Sequence, residues 1–153
     1  NAEVIFLGEG ANMNYLVKFS RDLPENIHVK FKGKVSRDLA IEHMLEADVS
    51  ISLSKGEGLP IAILESMYAG CYLILSSILP HKEISPPIQR CKYVDLSLSD
   101  QVINSLYFVR DNILKIKKSR NLSKIYSVEN FSVEKMLSEY INVYESFIKN
   151  NGK

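Results

Sequence analysis

Residues 53–70, LSKGEGLPIAILESMYAG, decide the fold of this sequence. The stretch starts at the end of an apolar run, breaks at a Gly-Glu-Gly triplet (56–58) and restarts as a helix with Pro60 in its first turn. Proline suits that turn because the first helical N–H groups have no partner within the helix. Gly70 is a natural helix stop. The residues expected to bury against a sheet are Ile61, Ile63 and Leu64.

A helix that begins just past the carboxyl end of a buried strand marks the usual ligand-binding edge of an open α/β sheet. Its unpaired N–H groups and positive dipole end favour anions such as phosphate. Glu65 follows Pro60 by five residues, which is about 7.5 Å along a helix axis. Together with Glu57 it provides two pure acceptors, which suit a ligand whose vicinal hydroxyls must donate. On spacing alone, an equally good interpretation is that both glutamates are solvated surface residues without a ligand.

Composition limits the class of protein. The 153 residues are 46% hydrophobic and 24% charged, as in one ordinary globular domain. The net charge of +1 gives no general reason to expect nucleic acid or a membrane as partner. Cys71 and Cys91 lie beside apparent strands and are predicted to be buried thiols rather than a disulfide. With no signal peptide and no apolar run of about 20 residues, a cytoplasmic location is predicted.

Strand and helix signals alternate along the chain. Apolar runs predict strands near residues 4–7, 27–31, 48–53, 72–75 and 92–95. The first strand is expected to be buried on both faces, as in a parallel sheet. Candidate helix caps are Asn12 or Asn14, Ser36 or Asp38, and Ser99 or Asp100. Three prolines predict an irregular segment at 80–87, and a closing helix is expected at about 132–148. The alternation predicts an α/β fold with a mostly parallel sheet.

Other chemical motifs are weak. The Gly8-Glu9-Gly10 turn lacks the third glycine of a dinucleotide fingerprint, because Met13 holds that place. The three histidines show no metal-ligand spacing, so no metal site is predicted. Lysines at 30, 32 and 34 fit either a phosphate contact or an exposed edge strand. The basic residues at 115–120 are predicted to form a solvated helix end.

Taken together, the sequence resembles the C-terminal donor-binding domain of retaining GT-B glycosyltransferases of the family 4, group 1 type. The matching landmarks are VIFLGEG at 4–10, VKFKGKV at 29–35, EADVSISLS at 46–54, EGLPIAILESMYAG at 57–70, YLILSS at 72–77, Glu83 and NFSVEKMLSEYINVYE at 130–145. The resemblance covers nearly the whole chain and implies a Rossmann-like, mostly parallel sheet with helices on both faces. Residues 1–153 are then one partial donor-binding domain, without the family's first strand and helix and without its N-terminal acceptor domain.

The resemblance also implies roles for individual residues. Glu57 would bind hydroxyls of the donor sugar and is the candidate catalytic residue, although not as a nucleophile. Glu65 would bind the ribose hydroxyls, and the turn at Val35 would lie against the nucleobase. The implied donor-binding set at the helix start is Gly58, Leu59, Pro60 and Ile61. Family members usually need no metal or other cofactor, because the helix end and basic side chains stabilise the departing diphosphate.

The implied activity is transfer of a hexose from a nucleotide-diphosphate sugar to a glycan or lipid-linked acceptor, with retention, in polysaccharide biosynthesis. This chain alone is expected to be inactive, since the acceptor would bind the missing N-terminal domain. The expected location is the cytoplasm or the inner face of the membrane, with self-association through an unpaired sheet edge. The alternatives are a non-catalytic nucleotide-sugar-binding module and another GT-B relative, such as an epimerase.

Overall fold

The computed structural model describes residues 1–84 and 86–151, and these residues alternate between strands and helices. The strands are β1 (Ala2–Phe6), β2 (Ile27–Phe31), β3 (Val49–Ser52), β4 (Tyr72–Ser76) and β5 (Cys91–Val94). The helices are α1 (Met13–Ser20), α2 (Arg37–Glu46), α3 (Ile61–Tyr68), α4 (Leu79–Ile84), α5 (Ser99–Lys118), α6 (Arg120–Phe131) and α7 (Val133–Asn151), and a 3₁₀ turn covers Ile88–Arg90.

Every strand pair in the described residues is parallel. β1 pairs with β2, while β4 lies between β3 and β5 in a second sheet. Parallel neighbours need crossover connections, which the intervening helices provide. The α/β prediction is confirmed, with the hydrogen-bonded strands divided between two parallel sheets rather than joined in one.

The chain divides into two compact units, Asn1–His43 and the residues from Met44 onward. In the first unit, the prediction that β1 is buried on both faces is wrong, because Val4 and Phe6 are 37% and 40% exposed. A two-stranded sheet offers one neighbour to each strand, and neither α1 nor α2 contributes a buried residue. The Phe6 and Phe31 rings stack across the pair with centroids 5.1 Å apart.

The second unit contains the main core, centred on β4, whose five residues are all buried. Alternate β4 side chains point to opposite faces of the sheet. One face packs against α3, where Ile63 and Met67 are buried, and the other packs against Val109 and Ile116 of α5. Helices therefore cover both faces of this sheet, as predicted. Cys71 and Cys91 are buried free thiols, which confirms their predicted role.

Several boundaries differ from prediction. Residues 79–84 form α4 rather than an irregular segment, since Pro80 lies in the first turn, where its missing N–H costs no helical hydrogen bond. α6 was not predicted from the sequence. Ser36 caps α2 as predicted, accepting a hydrogen bond from the Leu39 N–H at 3.3 Å. α5 is preceded by Leu98 rather than by a polar cap. The closing helix α7 ends three residues beyond its predicted end at 148.

Within residues 1–84 and 86–151, no helix combines the length and the apolar character needed to cross a bilayer.

Candidate functional site

The loop between β3 and α3 presents most of the residues singled out in the sequence. β3 ends at Ser52, α3 begins at Ile61, and the loop between them carries Glu57 on an exposed segment. Leu59 and Ile61 are 67% and 55% exposed, so the expectation that Ile61 packs on the sheet is wrong. Ile63, which is 3% exposed, packs into the core instead. The first turn of α3 therefore opens to solvent on the side that carries Ile61.

Pro60 is the residue immediately before α3 rather than a member of its first turn. It is buried, and its carbonyl accepts hydrogen bonds from the N–H groups of Ile63 at 3.0 Å and Leu64 at 3.4 Å. The Ile61 N–H donates to the Leu59 carbonyl at 2.9 Å. A ligand that accepts a hydrogen bond from the Ile61 N–H must therefore displace the Leu59 carbonyl.

The Glu57 carboxylate has a specific protein partner. The Ser54 hydroxyl donates to Glu57 Oε1 at 2.5 Å, so the side chain is oriented from within its own loop. Ser54 Oγ also lies 3.4 Å from Ser52 Oγ at the end of β3. The other carboxylate oxygen, Oε2, can still accept a hydrogen bond from a ligand.

A buried pair of side chains holds Ser54 in turn. Ser76, at the end of β4, donates from its hydroxyl to the Ser54 carbonyl at 2.6 Å. His81 Nδ1 lies 3.1 Å from Ser76 Oγ and 3.0 Å from the Ser76 carbonyl. Both residues are fully buried. This arrangement was not predicted from the sequence, because Ser54 and Ser76 are 22 residues apart along the chain.

Glu65 lies in the middle of α3 and is half-buried. It follows Ile61, the first helical residue, by four positions, or about 6 Å along the axis. Its neighbour Ser66 donates to Ser50 Oγ of β3 at 2.9 Å, which fixes the rotation of α3 on the sheet. The geometry thus places Glu57 before the helix start and Glu65 about one turn inside it.

Val35 belongs to the first compact unit and is half-buried in the turn between β2 and α2. Gly33 begins this turn with φ +62°, and its carbonyl accepts a hydrogen bond from the Gly8 N–H at 2.7 Å. The turns that follow β1 and β2 are thus tied together at the carboxyl ends of their strands. A cavity of about 250 Å³ lies beside them, lined by residues that include Phe6, Met13 and Leu16.

Two arginines hold the C-terminal end of α3. Arg90 was not singled out from the sequence, and the prediction that Arg120 lies in a solvated basic helix end is wrong, because Arg120 is half-buried. Arg90 is fully buried and donates to the Gly70 carbonyl, and Arg120 donates to the Ala69 carbonyl at 3.0 Å. Burial lowers the pKa of Arg90, and the nearby charge of Arg120 lowers it further. Cations at a helix C-terminus complement the dipole. They also fix α3, which carries Glu65, at the end remote from the loop.

A cleft of about 210 Å³ lies beside the start of α3. Its lining residues are Gly58, Leu59, Pro60, Pro80, Glu83, Ile84 and Phe131. Within residues 1–84 and 86–151, no group of three or more His, Cys, Asp or Glu side chains has the arrangement of a metal site.

Residues 1–86 match the sequence profile of a family described as "Glycosyl transferases group 1". The matched range contains the β3–α3 loop and both glutamates. The chain belongs to the group 1 glycosyltransferases. No curated protein matches the sequence.

This family member also shares its fold with a solved structure, the crystal structure of Anabaena Alr3699/HepE in complex with UDP. The two structures agree with a TM-score of 0.74 at 17% sequence identity, over 93% of this chain. The chain spans 40% of the length of that chain. The likeness confirms the Rossmann-like α/β fold of the GT-B type.

Proposed function

We propose that this chain forms the donor-binding part of a retaining glycosyltransferase of the family 4 type. It would bind a nucleotide-diphosphate sugar whose hexose is transferred to a glycan or lipid-linked acceptor bound by another domain, in the cytoplasm or at the inner face of the membrane. Membership of the group 1 glycosyltransferases supports this function. The observation that carries the proposal is the exposed Glu57 in the loop that leads into the open first turn of α3, with Glu65 on that helix.

In this proposal, different parts of the donor contact different residues. The diphosphate would lie at the start of α3, where backbone N–H groups and the helix dipole favour negative charge. Glu57 would accept hydrogen bonds from the sugar hydroxyls and Glu65 from the ribose hydroxyls. Val35 would contact the nucleobase through its backbone. Catalysis would then consist of holding the charge that develops on the departing diphosphate, without a metal.

Calorimetric titration tests this assignment, using UDP-glucose, GDP-mannose and ADP-glucose together with UDP, GDP and ADP. One sugar nucleotide should bind more tightly than its own diphosphate. Glu65→Ala should weaken the binding of both by about 1–3 kcal/mol, since each loses a hydrogen bond to a charged acceptor. Glu57→Ala should weaken only the sugar nucleotide.

Glu129→Ala is the matched control, because Glu129 is an exposed glutamate of α6. Its affinities should equal those of the unmodified chain. Absence of binding for all six nucleotides, or an unchanged affinity in Glu65→Ala, contradicts the proposed site. Sugar transfer by a two-domain protein that includes an acceptor domain, and its loss in Glu57→Ala, would separate an enzyme from a binding module.

A further inference from the structure

We propose that Ser54 is a positioning residue for Glu57, and that the buried pair of Ser76 and His81 holds Ser54 in place. The inference rests on the proposed function, since it concerns how Glu57 is presented to the donor sugar. It assigns roles to three residues from three different elements. The loop after β3 supplies Ser54, the end of β4 supplies Ser76, and α4 supplies His81.

The first step is the direction of the hydrogen bond to Glu57. A carboxylate can only accept, so the Ser54 hydroxyl must donate in the 2.5 Å contact with Oε1. The Ser54 oxygen can then accept from Ser52 Oγ, 3.4 Å away. Because a short hydrogen bond to a carboxylate is stronger than one between neutral groups, it can restrain an exposed glutamate.

The second step is the anchoring of Ser54 itself. The β3–β4 ladder ends with Ser52 opposite Leu75, so Ser54 lies beyond the last backbone pair. The Ser76 hydroxyl extends the connection between the strands by donating to the Ser54 carbonyl at 2.6 Å. Ser76 has no exposed surface, so this hydrogen bond is shielded from water. The point at which the loop leaves the sheet is therefore set by a side chain.

The third step assigns the hydrogen on His81. Ser76 donates its hydroxyl proton to Ser54, so its Oγ can only accept from the histidine. The Ser76 carbonyl is also an acceptor and lies 3.0 Å from the same ring nitrogen. Both contacts require that Nδ1 carries the hydrogen. The Tyr93 hydroxyl donates to the His81 carbonyl at 3.1 Å, which ties α4 to β5.

These contacts form a chain of hydrogen bonds from His81 in the core, through Ser76 and Ser54, to the exposed Glu57 carboxylate. With Oε1 held by Ser54, Glu57 would present Oε2 to the donor sugar in a fixed orientation. A fixed acceptor loses less conformational freedom on binding than a mobile one. This chain of hydrogen bonds should therefore strengthen binding of the sugar part of the donor and leave binding of the nucleoside diphosphate unchanged.

The test measures the affinity ratio between the sugar nucleotide that binds the unmodified chain most tightly and its own diphosphate. Ser54→Ala should lower the sugar-nucleotide affinity about tenfold and leave the diphosphate affinity within about twofold. Ser54→Thr retains the hydroxyl and should restore the ratio. In a Glu57→Ala background, Ser54→Ala should cause no further loss, since the acceptor is already absent.

Ser66→Ala is the matched control, because it too removes a serine hydrogen bond, the one from α3 to Ser50 of β3, and that bond does not involve Glu57. It should lower stability without changing the ratio. Amide hydrogen exchange adds a readout that needs no ligand, since residues 55–58 should exchange faster in Ser54→Ala and in Ser76→Ala. Ser76→Ala also provides a second variant if Ser54→Ala does not fold.

An unchanged ratio in Ser54→Ala, with unchanged exchange at residues 55–58, overturns this inference alone. An equal loss for both ligands, like that of a purely structural change, also overturns it. If the unmodified chain binds no nucleotide, or if Glu57→Ala leaves the ratio unchanged, the proposed function fails and this inference fails with it. The two failures are therefore distinguishable.

Discussion

The Arg90 guanidinium donates a hydrogen bond from Nη2 to the carbonyl of Gly70 at 2.7 Å. Arg90 has no exposed surface, and Nη1 donates to the Ile116 carbonyl at 2.6 Å. Its other hydrogen-bond acceptors in residues 1–84 and 86–151 are the hydroxyls of Ser119 and Ser123. One buried cation thus joins the end of α3 to α5 and α6 through neutral oxygens. The proposed site depends on this contact, because α3 carries Glu65.

Replacing Arg90 by methionine should lower the free energy of unfolding by about 3 kcal/mol or more, since the Gly70 and Ile116 carbonyls lose their buried donor. Lysine should not restore stability, because one ammonium cannot span acceptors placed for a planar guanidinium. Urea unfolding measures the loss. Arg110→Ala is the control, since Arg110 is exposed and should change stability by less than about 0.5 kcal/mol. A similar small change in Arg90→Met would contradict this role.

Gly70 should tolerate no side chain. Its φ is +84°, and a Cβ added there would lie 3.2 Å from both the Cβ and the carbonyl oxygen of Arg120. Gly70→Ala should therefore cost about 1–3 kcal/mol from backbone strain and crowding. Gly10→Ala is the control, because Gly10 has no positive φ and its added Cβ would meet nothing within 4 Å. Thermal or urea unfolding of the two variants should differ clearly, and equal stabilities would contradict both the backbone strain and the crowding at Gly70.

The buried thiols predict a loss of stability in alkaline solution. Burial raises the pKa of Cys71 to about 11 and that of Cys91 to about 12. The folded protein therefore holds both thiol protons more tightly than the unfolded chain, whose thiols titrate near 9.0. This contribution to stability is complete below about pH 9 and disappears as the pH rises toward the folded values. Each thiol adds a slope of at most about 1.4 kcal/mol per pH unit.

Urea unfolding between pH 8 and pH 10 measures this slope. The range ends there because burial also raises the pKa of Tyr72 and of Tyr93 to about 12, which adds a similar loss at higher pH. A double variant, Cys71→Ala with Cys91→Ala, should be less stable at pH 8 and should show a flatter dependence on pH. Equal slopes for the two proteins would mean that the thiols do not cause the loss.

Metal removal should leave nucleotide binding unchanged. In the proposed function, the backbone N–H groups and the dipole at the start of α3 carry the charge of the diphosphate. Calorimetric titration in EDTA and in excess Mg²⁺ should then give the same dissociation constant. A loss of affinity of tenfold or more in EDTA would show that a cation helps to bind the phosphates.

Much of the candidate site was predictable from local patterns. The apolar run of β3, the glycines of the loop and the position of Pro60 predicted a strand–loop–helix unit at residues 48–70. The structure contains this unit, with α3 starting at Ile61. The positive φ of Gly70 confirms its prediction as the helix stop. The sequence could not show that Ile61 faces solvent, because hydrophobicity indicates which residues favour burial but not which of them a neighbouring element covers.

Contacts between distant residues escaped the sequence analysis. Ser54 and Ser76 are 22 residues apart along the chain, and the parallel pairing of β3 with β4 brings them together. His81 then contacts Ser76 from α4, five residues further on. Arg90, in the 3₁₀ turn just before β5, was likewise not singled out from the sequence. Its burial follows from the docking of α6 against the end of α3, and no local signal predicted α6.

The sequence by itself determined the alternation of strands and helices, the position of the loop that carries Glu57 and the burial of the two thiols. These features follow from hydrophobic periodicity and from the backbone preferences of glycine and proline, which act over a few residues. The tertiary structure decided which apolar side chains remain exposed, how Ser54 is anchored and how the Arg90 guanidinium can be buried among neutral oxygens. Those outcomes depend on which surfaces meet, and the sequence order of the residues does not show this.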